Sequence, residues 1–103
     1  TAFARDFLRV LGVRRRATSP TFIIARRFPI HARGFRNVFH VDAYRLKGAR
    51  SLPALELEKA LHDPRSVVLV EWAEKIRQAL PRTTIWLTFS HGVQYNERII
   101  TKK

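Results

Sequence analysis

Apolar residues recur at Phe3, Phe7, Val10 and Leu11, the i, i+4, i+7, i+8 spacing of one helical face, and Gly12 follows as a C-terminal stop. The chain thus opens inside a predicted amphipathic helix. Phe22 to Phe28 is rich in β-branched and aromatic residues and predicts a strand, with Pro29 to Gly34 as the connection after it. Asn37 to Ala43 alternates, placing Phe39, Val41 and Ala43 on one side and Val38, His40 and Asp42 on the other. That spacing predicts a strand covered on one face, with polar groups at its carboxyl end. Ser51 followed by Pro53 marks a helix start, and Leu52, Leu55 and Leu61 give the helix an apolar side as far as His62, before Asp63-Pro64 ends it.

Ser66 to Glu71 is a continuous apolar run closed by a carboxylate, the pattern of a strand buried on both faces in a parallel sheet. Ala73 to Ala79 predicts two helical turns before Pro81. The alternating stretches Thr84 to Ser90 and Glu97 to Thr101, separated by His91-Gly92 and the residues after it, predict a hairpin. Helix, strands, helix and buried strand in this order predict a single three-layer α/β domain over residues 1–103, with a mainly parallel central sheet and an antiparallel C-terminal hairpin. A domain whose first residues already form a helix reads as N-terminally truncated.

Composition narrows the classes. With no Cys, a disulfide-stapled scaffold and a Cys-based zinc module are excluded. No apolar run, Val67 to Val70 included, exceeds four residues, far short of the ~18 residues of a membrane span, and the expectation is a soluble, cytoplasmic protein. Lys and Arg number 20 against 8 Asp and Glu, a net charge of +12, and most of the excess falls in the first fifty residues. Arg dominates the cations, and its planar fork suits phosphate, so a polyanionic partner is expected near the first half. The run Arg14, Arg15, Arg16 is the candidate contact for RNA or a protein partner, or else a solvated face.

In open α/β sheets, ligands gather at the carboxyl ends of strands. Two acids stand there, Asp42 and Glu71. A carboxylate after four consecutive apolar residues is held by a fixed strand while its tip meets solvent, which suits a Mg²⁺ ligand in a phosphate-handling enzyme. The same Glu71 could instead pair with a nearby Arg or cap the helix that follows, and Asp42 could close an Asx turn. His31, His40, His62 and His91 show no metal-site spacing, and His40 reads as a hydrogen-bonded structural residue. Ser19, His40 and Asp42 form no hydrolase triad worth pursuing, since no Gly-x-Ser-x-Gly elbow exists.

Four segments in order resemble the TsaE (YjeE) family: Thr1-Ala2-Phe3-Ala4-Arg5-x-Phe7-Leu8, Ser19-Pro20-Thr21-Phe22, the His-x-Asp-x-Tyr-Arg motif at His40, Asp42, Tyr44 and Arg45, and the apolar-strand-Glu-Trp motif of Val67 to Trp72. The resemblance implies a P-loop ATPase that uses ATP and Mg²⁺ and works with the TsaB and TsaD proteins in making threonylcarbamoyladenosine in tRNA. By the same resemblance, the Thr1 hydroxyl would bind Mg²⁺ and Glu71 would hold that ion directly or through water. Asp42 would orient or deprotonate the attacking water, Thr21 would sense the γ-phosphate, and Trp72 would cover the nucleotide or dock a partner. Each has a plainer reading: an N-cap for Thr1, loop satisfaction for Thr21, core packing for Trp72. The main departure is the glycine-rich loop and Lys, which the 103 residues do not contain. A non-catalytic, basic RNA-binding module that kept the fold is the alternative.

Overall fold

A computed structural model describes residues 2–13, 25–45 and 52–103, with backbone alone at 45 and 52–55. The first helix, α1 (Ala2–Val10), forms where the apolar spacing places it, but its buried positions are Ala4 and Leu8. Phe3 and Phe7 flank that stripe and stack on each other at 6.0 Å, while Val10 is 85% exposed. The buried stripe is thus rotated from the expected one, although Leu11 of the expected stripe still packs against the core cluster.

Gly12 stops α1 as expected. It lies at φ +95°, its N–H donates to Arg9 O at 3.0 Å, and the Val13 N–H donates to Leu8 O at 2.9 Å, a Schellman motif with Val13 packed back on the Leu8 cluster. Nothing lies near a Cβ added at Gly12, so Gly12→Ala carries conformational strain alone. It is expected to lower stability by about 1–2 kcal/mol, measured by urea denaturation; a neutral result would show that the motif is not held in solution.

Two strands, β1 (Ala25–Ala32) and β2 (Phe35–Asp42), form an antiparallel hairpin, and β2 pairs in parallel with β3 (Ser66–Glu71). The order β1-β2-β3 puts β2 in the middle. The predicted Pro29–Gly34 connection is therefore mostly strand. Pro29 is tolerated because β1 lies at the edge among the described strands, and the register slips between Pro29 and Ala32. Only Arg33 and Gly34 turn, both at positive φ (52° and 85°), the requirement of a two-residue type I′ hairpin.

The central strand is covered on both faces, with Val38 at 0% and Val41 at 2% exposure, rather than on one. Conversely, β3 is half-buried along its whole length, where burial on both faces was expected. Among the described residues it has a strand on one side only, which leaves its other edge without a described neighbour. Leu8, Phe28, Ile30 and Val38 form a core cluster, so α1 covers the Val38 face. The second helix, α2 (Leu52–Leu61), links β2 to β3 and lies against β3. It buries Leu57 and Ala60. Leu61 is only partly buried, and the Ser51 cap lies outside the described residues.

Asp63 closes the α2–β3 junction. Its Oδ1 accepts the Arg65 N–H at 3.0 Å and its Oδ2 accepts the Ser66 hydroxyl at 2.7 Å. The Arg65 N–H first, then the Ser66 hydroxyl, hold its carboxyl below the ordinary 3.8, with partial desolvation opposing them. Because the folded value is depressed, the stabilisation is complete above the unfolded carboxylate value and drains away as pH falls through the folded one. The difference in urea midpoint between wild type and Asp63→Asn is therefore expected at pH 7 and to vanish in strong acid; a difference independent of pH would exclude the charge as its source.

After β3, Ala73–Ala79 forms 3₁₀ turns with a kink at Ile76 rather than a regular helix. The predicted C-terminal hairpin exists as β4 (Leu87–His91) and β5 (Arg98–Lys102), paired antiparallel. It starts later than the alternation suggested and forms its own two-stranded sheet, exposed along both strands. Phe89 meets Phe3 edge-on at 5.2 Å, and the Arg77 guanidinium lies 4.2 Å from the Trp86 ring, tying hairpin to body. Among the described residues, no helix is long and apolar enough to cross a membrane. The chain is thus a mixed α/β structure whose described central sheet has one antiparallel and one parallel pair.

Candidate active site

The parallel register of β2 and β3 builds the site. Asp42 is the Cα partner of Glu71, and His40 that of Leu69. Because side chains alternate along a strand and register partners share a face, His40, Asp42 and Glu71 project from the same face at the carboxyl ends of two adjacent strands. Two carboxylates thus stand side by side, where chains leave a parallel pair and backbone groups open to ligand.

Each acid is oriented. Asp42 Oδ1 accepts the Tyr44 N–H at 3.1 Å, an Asx turn that starts the short 3₁₀ segment Ala43–Arg45. Glu71 Oε2 lies 2.8 Å from His40 Nε2, with both side chains 20% exposed. The plainer expectations for the two acids fare differently. The Asx turn at Asp42 is present, and it aims the carboxylate without consuming its charge. Glu71 does not cap the following turns, whose N-cap is Trp72 without a side-chain bond; among the described side chains it pairs with His40, where an Arg was the expected partner.

Trp72 takes the left-handed conformation, φ 58° and ψ 39°. For a bulky side chain this is a strained backbone, costing of order 1–3 kcal/mol, of the kind that gathers at functional sites. It turns the chain sharply off β3 and sets the indole against Tyr44, ring centroids 5.2 Å apart, with Lys75 Nζ 5.5 Å from the Tyr44 ring on its own account. Trp72 is 54% exposed and Tyr44 63%, so Trp72 is not a core residue. An exposed aromatic pair, Tyr44 and Trp72, thus follows the two carboxylates in the chain, with Lys75 against its Tyr44 ring. Among the described residues, no three His, Cys, Asp or Glu side chains group as metal ligands.

The profile of the family described as "Threonylcarbamoyl adenosine biosynthesis protein TsaE" matches residues 1–100. The chain belongs to the TsaE family. It is 45% identical over 94 residues to the tRNA threonylcarbamoyladenosine biosynthesis protein TsaE of Streptomyces coelicolor, covering 90% of this chain and 62% of that protein. The Bacillus subtilis protein of the same name is 32% identical over 101 residues, covering 98% of this chain and 60% of its own length. That of Mycobacterium tuberculosis is 31% identical over 107, covering 98% and 62%. The chain spans about three-fifths of the length of these curated relatives. Homology thus links it to TsaE proteins of tRNA threonylcarbamoyladenosine biosynthesis.

Of the residues singled out from the TsaE resemblance, the structure brings together Asp42, Glu71 and Trp72. Thr1, Thr21 and the Arg14, Arg15, Arg16 run lie outside the described residues. Sequence reasoning missed two neighbours. His40 was placed in a motif but not against Glu71; its signal was the His-x-Asp alternation, which needs only the strand register to become a contact. Tyr44 stands in the same motif, but its packing on Trp72 depends on the left-handed turn after β3, which the motif does not show.

Proposed function

We propose that this chain is part of an ATP-hydrolysing TsaE protein that works in the cytoplasm with TsaB and TsaD in forming tRNA N6-threonylcarbamoyladenosine. The observation that carries the reading is the Asp42–Glu71 register pair at the carboxyl ends of β2 and β3. Hard carboxylate oxygens on rigid strands suit Mg²⁺, which takes one or two carboxylates and completes its shell with water and phosphate oxygens. Glu71 would hold the ion directly or through water, together with the Thr1 hydroxyl. When bound, the ion neutralises charge on the phosphates. Asp42, fixed by the Tyr44 N–H, orients or deprotonates the attacking water from the neighbouring strand. Thr21 senses the γ-phosphate, and Trp72, exposed beside the carboxylates, covers the nucleotide.

The reading also requires a Gly-rich loop ending in Gly-Lys to cradle the phosphates, and no such stretch occurs in the 103 residues. It treats residues 1–103 as part of one three-layer P-loop domain, which α1 on the Val38 face and α2 against β3 support. The deciding experiment expresses the protein from its natural start codon and measures Mg²⁺-dependent ATP hydrolysis, alone and with TsaB and TsaD. Turnover that rises with the partners is expected. A protein with no turnover in either assay, and no Gly-rich loop encoded upstream of Thr1, would leave the basic RNA-binding module as the better account.

A further inference from the structure

We infer that His40 is the positioning residue for Glu71, fixing the direction in which that carboxylate faces the reaction; the inference rests on the ATPase reading above. The contact is short, 2.8 Å between Nε2 and Oε2, and both side chains are four-fifths shielded from solvent. An ionised carboxylate can only accept, so the bond requires the proton on His40 Nε2. A Glu at the end of a strand otherwise has three side-chain torsions to explore. The imidazole, held on the middle strand of the described sheet, restricts that freedom by fixing the Oε2 end.

The register explains why this position does so. His40 and Asp42 are two residues apart on β2, and Leu69 and Glu71 are their partners on β3, so the His40–Glu71 contact runs diagonally across the same face that carries Asp42. One three-residue stretch of β2 therefore supplies the acid that faces water and the donor that aims the other acid. An N–H donor beside two adjacent carboxylates also offsets their mutual repulsion. His40 is not itself a Mg²⁺ ligand in this arrangement: its Nε2 is taken by Glu71, and Mg²⁺ prefers oxygen. Hydrogen bonds to ligating groups of this kind are worth roughly 10–100-fold in metal affinity or activity.

The test uses the protein expressed from its natural start codon. In the protein free of nucleotide and metal, imidazole ¹H–¹⁵N spectra should show His40 protonated at Nε2, with that proton protected from exchange and the protection lost in Glu71→Ala. In steady-state hydrolysis, His40→Ala should lower kcat about 10–100-fold and raise the Mg²⁺ concentration giving half-maximal rate, with little change in KM for ATP. His40→Gln, whose amide reaches as far as Nε2, should recover most of the loss. An Nε2 without its proton, an unchanged kcat and Mg²⁺ requirement in His40→Ala, or equal impairment of the Ala and Gln variants would each overturn the proposal.

Should His40→Ala fail to fold, His40→Gln and His40→Asn decide, since the Asn amide stops one bond short; equal activities would count against positioning. Wild-type turnover in the same assay separates the two failures. No turnover overturns the ATPase reading and the positioning role with it, whereas normal turnover in both wild type and His40→Ala overturns the positioning role alone.

Discussion

Glu71→Gln, in the protein expressed from its natural start codon, is expected to keep the fold and lose ATP turnover by about 100-fold or more. Gln is nearly isosteric with Glu, and its amide oxygen can still accept from His40 Nε2, so the contact across β2 and β3 survives. What disappears is the negative charge. A bound cation in a phosphoryl-transfer site contributes several kcal/mol to the transition state, and each ~1.4 kcal/mol is tenfold in rate, which sets the expected loss.

Asp42→Asn offers the same separation by a different contact. The Asn oxygen can still accept the Tyr44 N–H and hold the Asx turn, so a fall in kcat with unchanged melting would be chemical in origin. A merely structural Asp42 would leave turnover intact in Asn and lose stability in Ala. Nucleotide binding by both variants, followed by a fluorescent ATP analogue, should remain. Wild-type turnover in either would remove that residue from the site.

Residues 1–103 alone are expected to bind Mg-ATP more weakly than ~1 mM, while the protein from its natural start codon binds it well. In P-loop proteins the β- and γ-phosphates are cradled by successive backbone N–H groups of a Gly-rich loop, by a Lys ammonium and by the positive end of the next helix. The 103 residues contain no Gly-rich loop ending in Gly-Lys, which leaves the end of a helix, α1, and a helix dipole contributes about 0.3–2 kcal/mol. That is too little to offset the cost of fixing a flexible polyphosphate. Titration calorimetry on the two proteins, with circular dichroism to confirm that both fold, decides the matter. Tight, Mg²⁺-dependent binding by residues 1–103 would mean that the phosphate site is built elsewhere in the chain and that Thr1 has been misplaced.

What local pattern alone determined is the existence and order of most elements. The 3.6-residue spacing from Phe3, the glycine stop at Gly12, the apolar run closed by Glu71 and the alternating C-terminal stretches each act through neighbours a few residues away, and each element is present in the structure. The two acids could also be read directly, because a carboxylate that ends an apolar strand is conspicuous in one dimension. Tertiary structure decided which strand is central. Covering both faces of β2, leaving β3 half-buried and letting Pro29 into a strand all depend on strand order, which distant segments settle through pairing and not through local composition. It also decided the company the acids keep. His40 stands 31 positions from Glu71 in sequence, and only the parallel register, with its two-residue side-chain period, sets that imidazole against that carboxylate and Asp42 beside both.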